Sequence, residues 1–209
     1  MIPNSIGCVV VNYNTPKIIS RAVNSIKDHV DNIIIIDGST KGNKSFLECD
    51  NLMKNNKNVL TIHTEKNIYH GPGLNKGIDS LDNEYIICLD SDAVLRDIKL
   101  IKEMKDILLD DNVYGCGFVI NVDDAGDTVN DKNSTPYLHP YFCMFKLSIY
   151  KKYSGFINHG APFMRTMKQI KGKMKLVGIK NILERCWHEH RRTINIIGQG
   201  NWENEWVKP

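Results

Sequence analysis

Two aspartates one residue apart, Asp90 and Asp92, directly follow the apolar run Tyr85 to Leu89. Side chains two apart along an extended segment project the same way, so both carboxylates would approach one hard divalent cation, Mg2+ or Mn2+. The chain holds sixteen aspartates, enough for about one Asp-x-Asp by chance, so it is the place after a strand-like run that gives this pair weight. The competing reading is a loop aspartate that caps the next helix. Toward the other end, Cys186-Trp187-His188-Glu189-His190 sets two imidazoles two residues apart, a spacing that would also suit a zinc contact. His159, with an unperturbed pKa of about 6.5, is a competent general base near neutrality.

Those residues need a frame. Apolar, β-branched runs recur at Ile6 to Val11, Ile33 to Ile36, Val59 to Ile62, Tyr85 to Leu89 and Val119 to Val122, and read as buried strands. Ile18, Ile19, Ala22, Val23 and Ile26 after Pro16, and Ile98, Ile101, Met104 and Leu108, carry helical spacing. Continuous apolar strands alternating with amphipathic helices predict an α/β, Rossmann-like fold, a mostly parallel central sheet with helices on both faces. Ligands of such sheets sit beyond the carboxyl ends of the strands, which directs attention to Asn12 to Pro16, Asp37 to Thr40, a loop from Asn67 to Gly77, and Asp90 to Asp92. Asp123 to Thr135 reads as a long polar loop. Met164, Met167, Ile170 and Met174 predict one face of a helix whose other face carries Arg165, Lys168, Lys171 and Lys175.

Composition fits a soluble globular chain of 209 residues, 42% hydrophobic and 24% charged, and excludes collagenous and disordered classes. Met1 to Pro16 has no basic segment followed by an apolar one, so export by a signal of its own is not expected, and no apolar stretch nears the roughly 20 residues that span a bilayer. Cys8, Cys49, Cys88, Cys116, Cys143 and Cys186 are scattered singly, which predicts reduced thiols and a cytoplasmic protein. The net charge of +3 is uneven: residues 146–192 hold twelve Lys and Arg against Glu184 and Glu189. A solvated helix face explains such a stretch, and so does an anionic acceptor, either nucleic acid or a membrane surface.

Taken in order, VVVNYNTP, IIIIDGST, NIYHGPGLNKGI and YIICLDSDAVL resemble the segments of the GT-A glycosyltransferases, specifically glycosyltransferase family 2, over roughly residues 6 to 120. The resemblance implies a nucleotide-sugar donor and a Mn2+ or Mg2+ cofactor, with residues 1–122 binding the donor and 123–209 shaping the acceptor side of one domain. Tyr13 would flank the nucleotide base, Asp37 would hydrogen-bond base or ribose, and His70 and Asn75 would approach the donor. Asp90 would join donor and metal, with Asp92 and His188 as further metal ligands. The ion would neutralise charge growing on the departing diphosphate. The acceptor hydroxyl would belong to DNA carrying hydroxylated bases, or to a lipid- or polymer-linked saccharide approached with peripheral membrane contact.

The sequence departs from the pattern in two places. Tyr69 stands where the resemblance expects a first glycine, and Gly155-Phe156 is followed by Ile157-Asn158-His159 without an acidic pair. The general base is then His159, or Asp123 or Asp124, or absent. Tyr137, Tyr141, Trp187, Trp202 and Trp206 are candidates to stack on an acceptor, or core-closing aromatics. Two rival classes stay open: a haloacid-dehalogenase-like phosphatase using Asp90 as nucleophile and Asp92 as acid, and a non-catalytic nucleotide-binding module.

Overall fold

The computed structural model describes residues 1–130, 134–157 and 160–188. Seven strands form the main sheet. They are β1 (Ile2–Asn12), β2 (Asn32–Asp37), β3 (Val59–His63), β4 (Asn83–Leu89), β6 (Val113–Val122), β7 (Thr135–Lys146) and β8 (Lys175–Gly178), in the spatial order β3-β2-β1-β4-β7-β6-β8. The strands from β3 to β4 run parallel, β7 runs antiparallel to both β4 and β6, and β8 returns parallel to β6. Two short strands, β5 (Ala93–Leu95) and β9 (Cys186–His188), pair separately.

The central strands carry unbroken apolar runs, such as Ile33 to Ile36 of β2 and Tyr85 to Leu89 of β4, because both faces are covered there. On β1, Cys8 and Val10 face one core and Val9 the other. The first core packs against α1 (Pro16–Ile26), α2 (Lys44–Asn55) and α4 (Lys99–Ile107), the second against α3 (His70–Asp79), α5 (Leu147–Tyr150) and α6 (Met164–Ile170). A last short helix, α7 (Ile182–Arg185), runs directly into β9. Pro16 opens α1, where its missing N–H costs nothing. All six cysteines are free and buried. No helix among the described residues is long and apolar enough to cross a membrane.

The five expected strands and the two helical faces are present. Two expectations need correction. The loop foreseen from Asn67 to Gly77 becomes helix α3 from His70 onward. Its glycines serve close approach rather than a turn: a Cβ on Gly77 or Gly73 would lie 2.3 or 2.9 Å from the Val9 or Val11 side chain of β1. The basic helix ends at Ile170, short of Met174, with Gly172 in the left-handed region at φ +75° and Lys175 already opening β8.

Candidate active site

β4 ends in a tight turn that carries the acidic pair. Asp90 N–H donates to Tyr141 O of β7 (2.8 Å), Ala93 N–H donates back to Asp90 O (3.0 Å), and the chain enters β5. Ala93 is registered against His188 of β9, and this pairing of segments far apart in sequence delivers the imidazole. His188 Nε2 lies 3.1 Å from Asp92 Oδ1 and 3.5 Å from Asp90 Oδ2. His70, the first residue of α3, reaches the other oxygen of Asp90, Oδ1, at 3.2 Å. Tyr69 before it sits at φ 66°, ψ 173°, a region almost reserved for glycine, so the glycine-like backbone is adopted although the residue is tyrosine.

Burial works against a charge on Asp90, but His70 and His188 outweigh it and hold the carboxyl well below the usual carboxylate range. Burial likewise opposes protonation of His188, yet hydrogen bonds to Asp90 and Asp92 push it up to about 10. One ligand atom each from Asp90, Asp92 and His188 lies within 4.8 Å of the others, a span that ligands about 2.1–2.5 Å from a common ion can close. Two hard oxygens with one imidazole fit Mn2+ well, and Mg2+ less well because it favours oxygen alone.

The other strand ends are arranged differently. Asp37 has no exposed surface. Its Oδ1 accepts from Asn12 Nδ2 (2.8 Å) and Ser39 Oγ (2.6 Å), and Oδ2 meets His63 Nδ1 (2.9 Å). His63 Nε2 in turn meets Asp50 Oδ1 at 3.0 Å, and its ring stacks on Phe46. Ser39 Oγ also accepts from Asn14 N–H, which ties the β1 and β2 loops together beside half-buried Tyr13. Asn75 faces the second core: its Oδ1 accepts from Tyr150 Oη (2.7 Å) and Phe156 N (2.8 Å), and its Nδ2 donates to Phe156 O (2.5 Å). It thereby clamps the Gly155-Phe156 turn.

Asp90, Asp92, His70 and His188 therefore converge, Tyr13 and Asp37 lie on the β1–β2 flank, and Asn75 braces the fold. His159, His190, Trp202 and Trp206 fall outside the described residues. Asp124 pairs with Lys168 at 2.7 Å, and Asp123 Oδ1 accepts the Ala125 and Asp127 amides within its own turn. Among the basic residues, Lys146 pairs with Asp111, Arg185 with Asp97 and Glu103, and Lys171 bonds Ser134 O.

Sequence reasoning missed His63, although it directly follows the third apolar run. It also missed His139 of β7. Tyr137, His139, Tyr141 and Trp187 meet Phe118 and His188 around a cavity of about 720 Å³ on the β6–β7 side of the acidic turn. No Asp, Glu, Lys or Arg lines it among the described residues.

A profile of the family described as glycosyl transferase family 2 matches residues 8–170. Comparison with curated proteins gives no match. Among solved structures, a mannosyltransferase from Pyrobaculum calidifontis, in complex with GDP-Man and Mn2+, has a TM-score of 0.67 at 14% identity, over 85% of this chain and 55% of its own. Residues 1–349 of S. aureus TarS reach 0.62 at 14% identity, over 85% of this chain and 58% of that one. The 4-diphosphocytidyl-2C-methyl-D-erythritol synthase of Anaerococcus prevotii reaches 0.59 at 13% identity, over 96% of both chains. The chain thus spans a little more than half the length of the first two. These likenesses establish the expected GT-A fold.

Proposed function

The chain belongs to glycosyl transferase family 2, and from that premise we propose that it moves a sugar from a nucleotide-diphosphate sugar to an acceptor hydroxyl at the turn of Asp90 and Asp92. The observation that carries the reading is the gathering of Asp90, Asp92 and His188, three ligands from two distant segments, at the carboxyl end of a central strand. These residues would hold Mn2+ or Mg2+, which supplies neutralising charge for the departing diphosphate when bound. His70 positions Asp90 from the α3 side. The nucleotide lies over the β1 and β2 ends against Tyr13. Asp37 supports that surface from beneath, by fixing the Ser39 and Asn14 loops, since its own oxygens are engaged. The acceptor approaches from the β6–β7 side, and His159 is the candidate to take its proton.

The phosphatase reading is disfavoured by the fold: that chemistry belongs to an architecture whose first strand bears the Asp-x-Asp, and here three strands precede it. The test is release of nucleotide diphosphate from a panel of nucleotide sugars with and without Mn2+. Metal-dependent release that disappears in Asp92→Asn is the expected result. Inorganic phosphate from phosphomonoesters would instead mark a phosphatase, and binding without any release would mark a nucleotide-binding module.

A further inference from the structure

The two oxygens of Asp37 serve different partners. Oδ1 accepts from Asn12 Nδ2 (2.8 Å), Ser39 Oγ (2.6 Å) and Ser39 N–H (3.2 Å). Oδ2 meets His63 Nδ1 alone among the described residues, at 2.9 Å. His63 ends the edge strand β3 and is registered against Asp37, as Asp37 is against Asn12, so three neighbouring strands finish in one row of polar side chains. The ring is fixed more firmly than a strand end requires. Its Nε2 meets Asp50 Oδ1 of α2 at 3.0 Å, and Phe46, one turn earlier on the same helix, stacks on its face with centroids 3.7 Å apart.

The other end of this network lies in the β1–α1 loop. Ser39 Oγ, held by Asp37, accepts from Asn14 N–H at 2.9 Å. Asn14 has a left-handed φ of 56°, a conformation that a non-glycine residue adopts at a cost and that its surroundings must maintain. It stands between Tyr13, the candidate nucleotide contact, and Thr15, whose hydroxyl donates to Asn12 Oδ1 at 2.5 Å. Fixing the Asn14 amide therefore fixes the direction in which Tyr13 leaves the strand. Asn12, Thr15, Asp37 and Ser39 are buried, whereas His63 and Asp50 keep 24% and 26% of their side chains exposed, so the network is anchored at its solvent end.

From these observations, and resting on the transferase reading above, we infer that His63 is a positioning residue for the nucleotide half of the donor. It engages Oδ2 of Asp37, which leaves Oδ1 aimed at Ser39 and, through Ser39, sets the loop that presents Tyr13. Asp50 and Phe46 orient His63 from α2. Side chains that support a site in this way gain their effect by keeping the contacting groups in one geometry before the ligand arrives. His63 touches no reactant itself. Its two nitrogens point at separate carboxylates, and the cluster able to share an ion among the described residues is that of Asp90, Asp92 and His188.

Two substitutions test the two nitrogens one at a time. In His63→Asn the amide nitrogen takes the place of Nδ1, which keeps the bond to Asp37 and gives up Asp50. In His63→Gln it takes the place of Nε2, which keeps Asp50 and leaves Oδ2 of Asp37 without its partner. Calorimetry with UDP, GDP and dTDP in the presence of Mn2+ should show the tightest of them bound about tenfold more weakly by His63→Gln, and within about twofold of wild type by His63→Asn. Donor turnover should show the same split in KM with kcat unchanged, because the lost contact acts on binding alone. Hydrogen exchange of the Asn14 amide, read by NMR without ligand, should be about tenfold faster in His63→Gln than in His63→Asn. Equal affinity of the two variants for a nucleotide that wild type binds, or equal Asn14 exchange, would overturn the inference. So would a fall in kcat at unchanged KM, or a His63→Gln chain that does not fold. Faster Asn14 exchange in His63→Gln, in a protein that binds none of the nucleotides, would sustain the hold on the loop while removing the transferase reading.

Discussion

Asp37 and Asp90 each close an apolar strand of one sheet, with β1 between their strands, and the protein treats the two carboxylates in opposite ways. Asp37 is sealed from solvent, and Asn12, Ser39 and His63 occupy both of its oxygens. Asp90 keeps 19% of its side chain exposed and lies within reach of a second carboxylate, with two imidazoles holding the cluster together. Two carboxylates brought together repel unless a cation stands between them, a place that His188 occupies and that a divalent ion would take over. A strand-end aspartate is thus marked as functional by a charge the chain leaves to be matched, and its address alone says less.

The largest expected effect tests the open side of this contrast. Asp90→Asn keeps the shape of the side chain but halves the carboxylate charge facing the ion, and should lower metal-dependent nucleotide release about 10³-fold. Its unfolding free energy should change less than that of any Asp37 variant. A variant that keeps wild-type release would take Asp90 out of the active site.

Asp37→Ala tests the closed side. Removing the carboxylate strands the Asn12 amide, the Ser39 hydroxyl and one face of His63 in a buried setting, an expected loss of about 3–5 kcal/mol in urea unfolding. Asp37→Asn, which retains one acceptor, should lose less. If Asp37→Ala instead unfolds like wild type and fails only in donor binding, Asp37 belongs with Asp90 and the contrast dissolves.

Why the sequence revealed one half of this picture better than the other follows from particular residues. The parallel strands were legible because their buried stretches are unbroken apolar runs, as in Ile33 to Ile36. β7 was not, because Pro136, His139 and Pro140 break its pattern and look like punctuation, when in fact the last two lie where the register of β7 on β6 shifts. α3 read as a loop because Gly71, Pro72 and Gly73 favour turns, a local signal overruled by packing on Val9 and Val11. The acidic pair was visible from spacing. The closure of Asp37 by Asn12, His63 and Asp50 was not, since it joins residues 13 to 26 apart whose pairing only the sheet register creates.

A proton count sharpens the comparison further. With His188 pushed up to about 10, the ring is protonated at neutral pH and must give up that proton before it can ligate an ion. The ion-free protein binds the extra proton, so metal affinity rises with pH, about tenfold per unit, and levels off above the raised value. Calorimetry with Mn2+ at pH 6 and pH 8, in buffers of different ionisation heats, should show about one proton released per ion and tighter binding at pH 8. Affinity that is level between those values removes His188 from the ligand set and leaves the two aspartates alone.

The smallest expected effect concerns how His188 is carried to the open carboxylates. Arg185, just before β9, fastens the segment: its backbone carbonyl accepts from Arg96 N (2.8 Å) and Asp97 N (3.0 Å), and its guanidinium reaches Asp97 Oδ2 (2.8 Å) and Glu103 Oε2 (2.6 Å). Arg185→Met leaves the backbone bonds in place and removes the ion pairs, which are partly exposed and therefore weak. The unfolding midpoint should fall only slightly, while Mn2+ affinity falls about 2–5-fold as His188 gains freedom. Acid should mimic the substitution. The Arg185 hydrogen bond lowers the Asp97 pKa, so the support it gives is present above the ordinary aspartate value and is lost as pH falls through the depressed one. An Arg185→Met protein that binds Mn2+ as wild type does would show that the β5–β9 register alone sets His188.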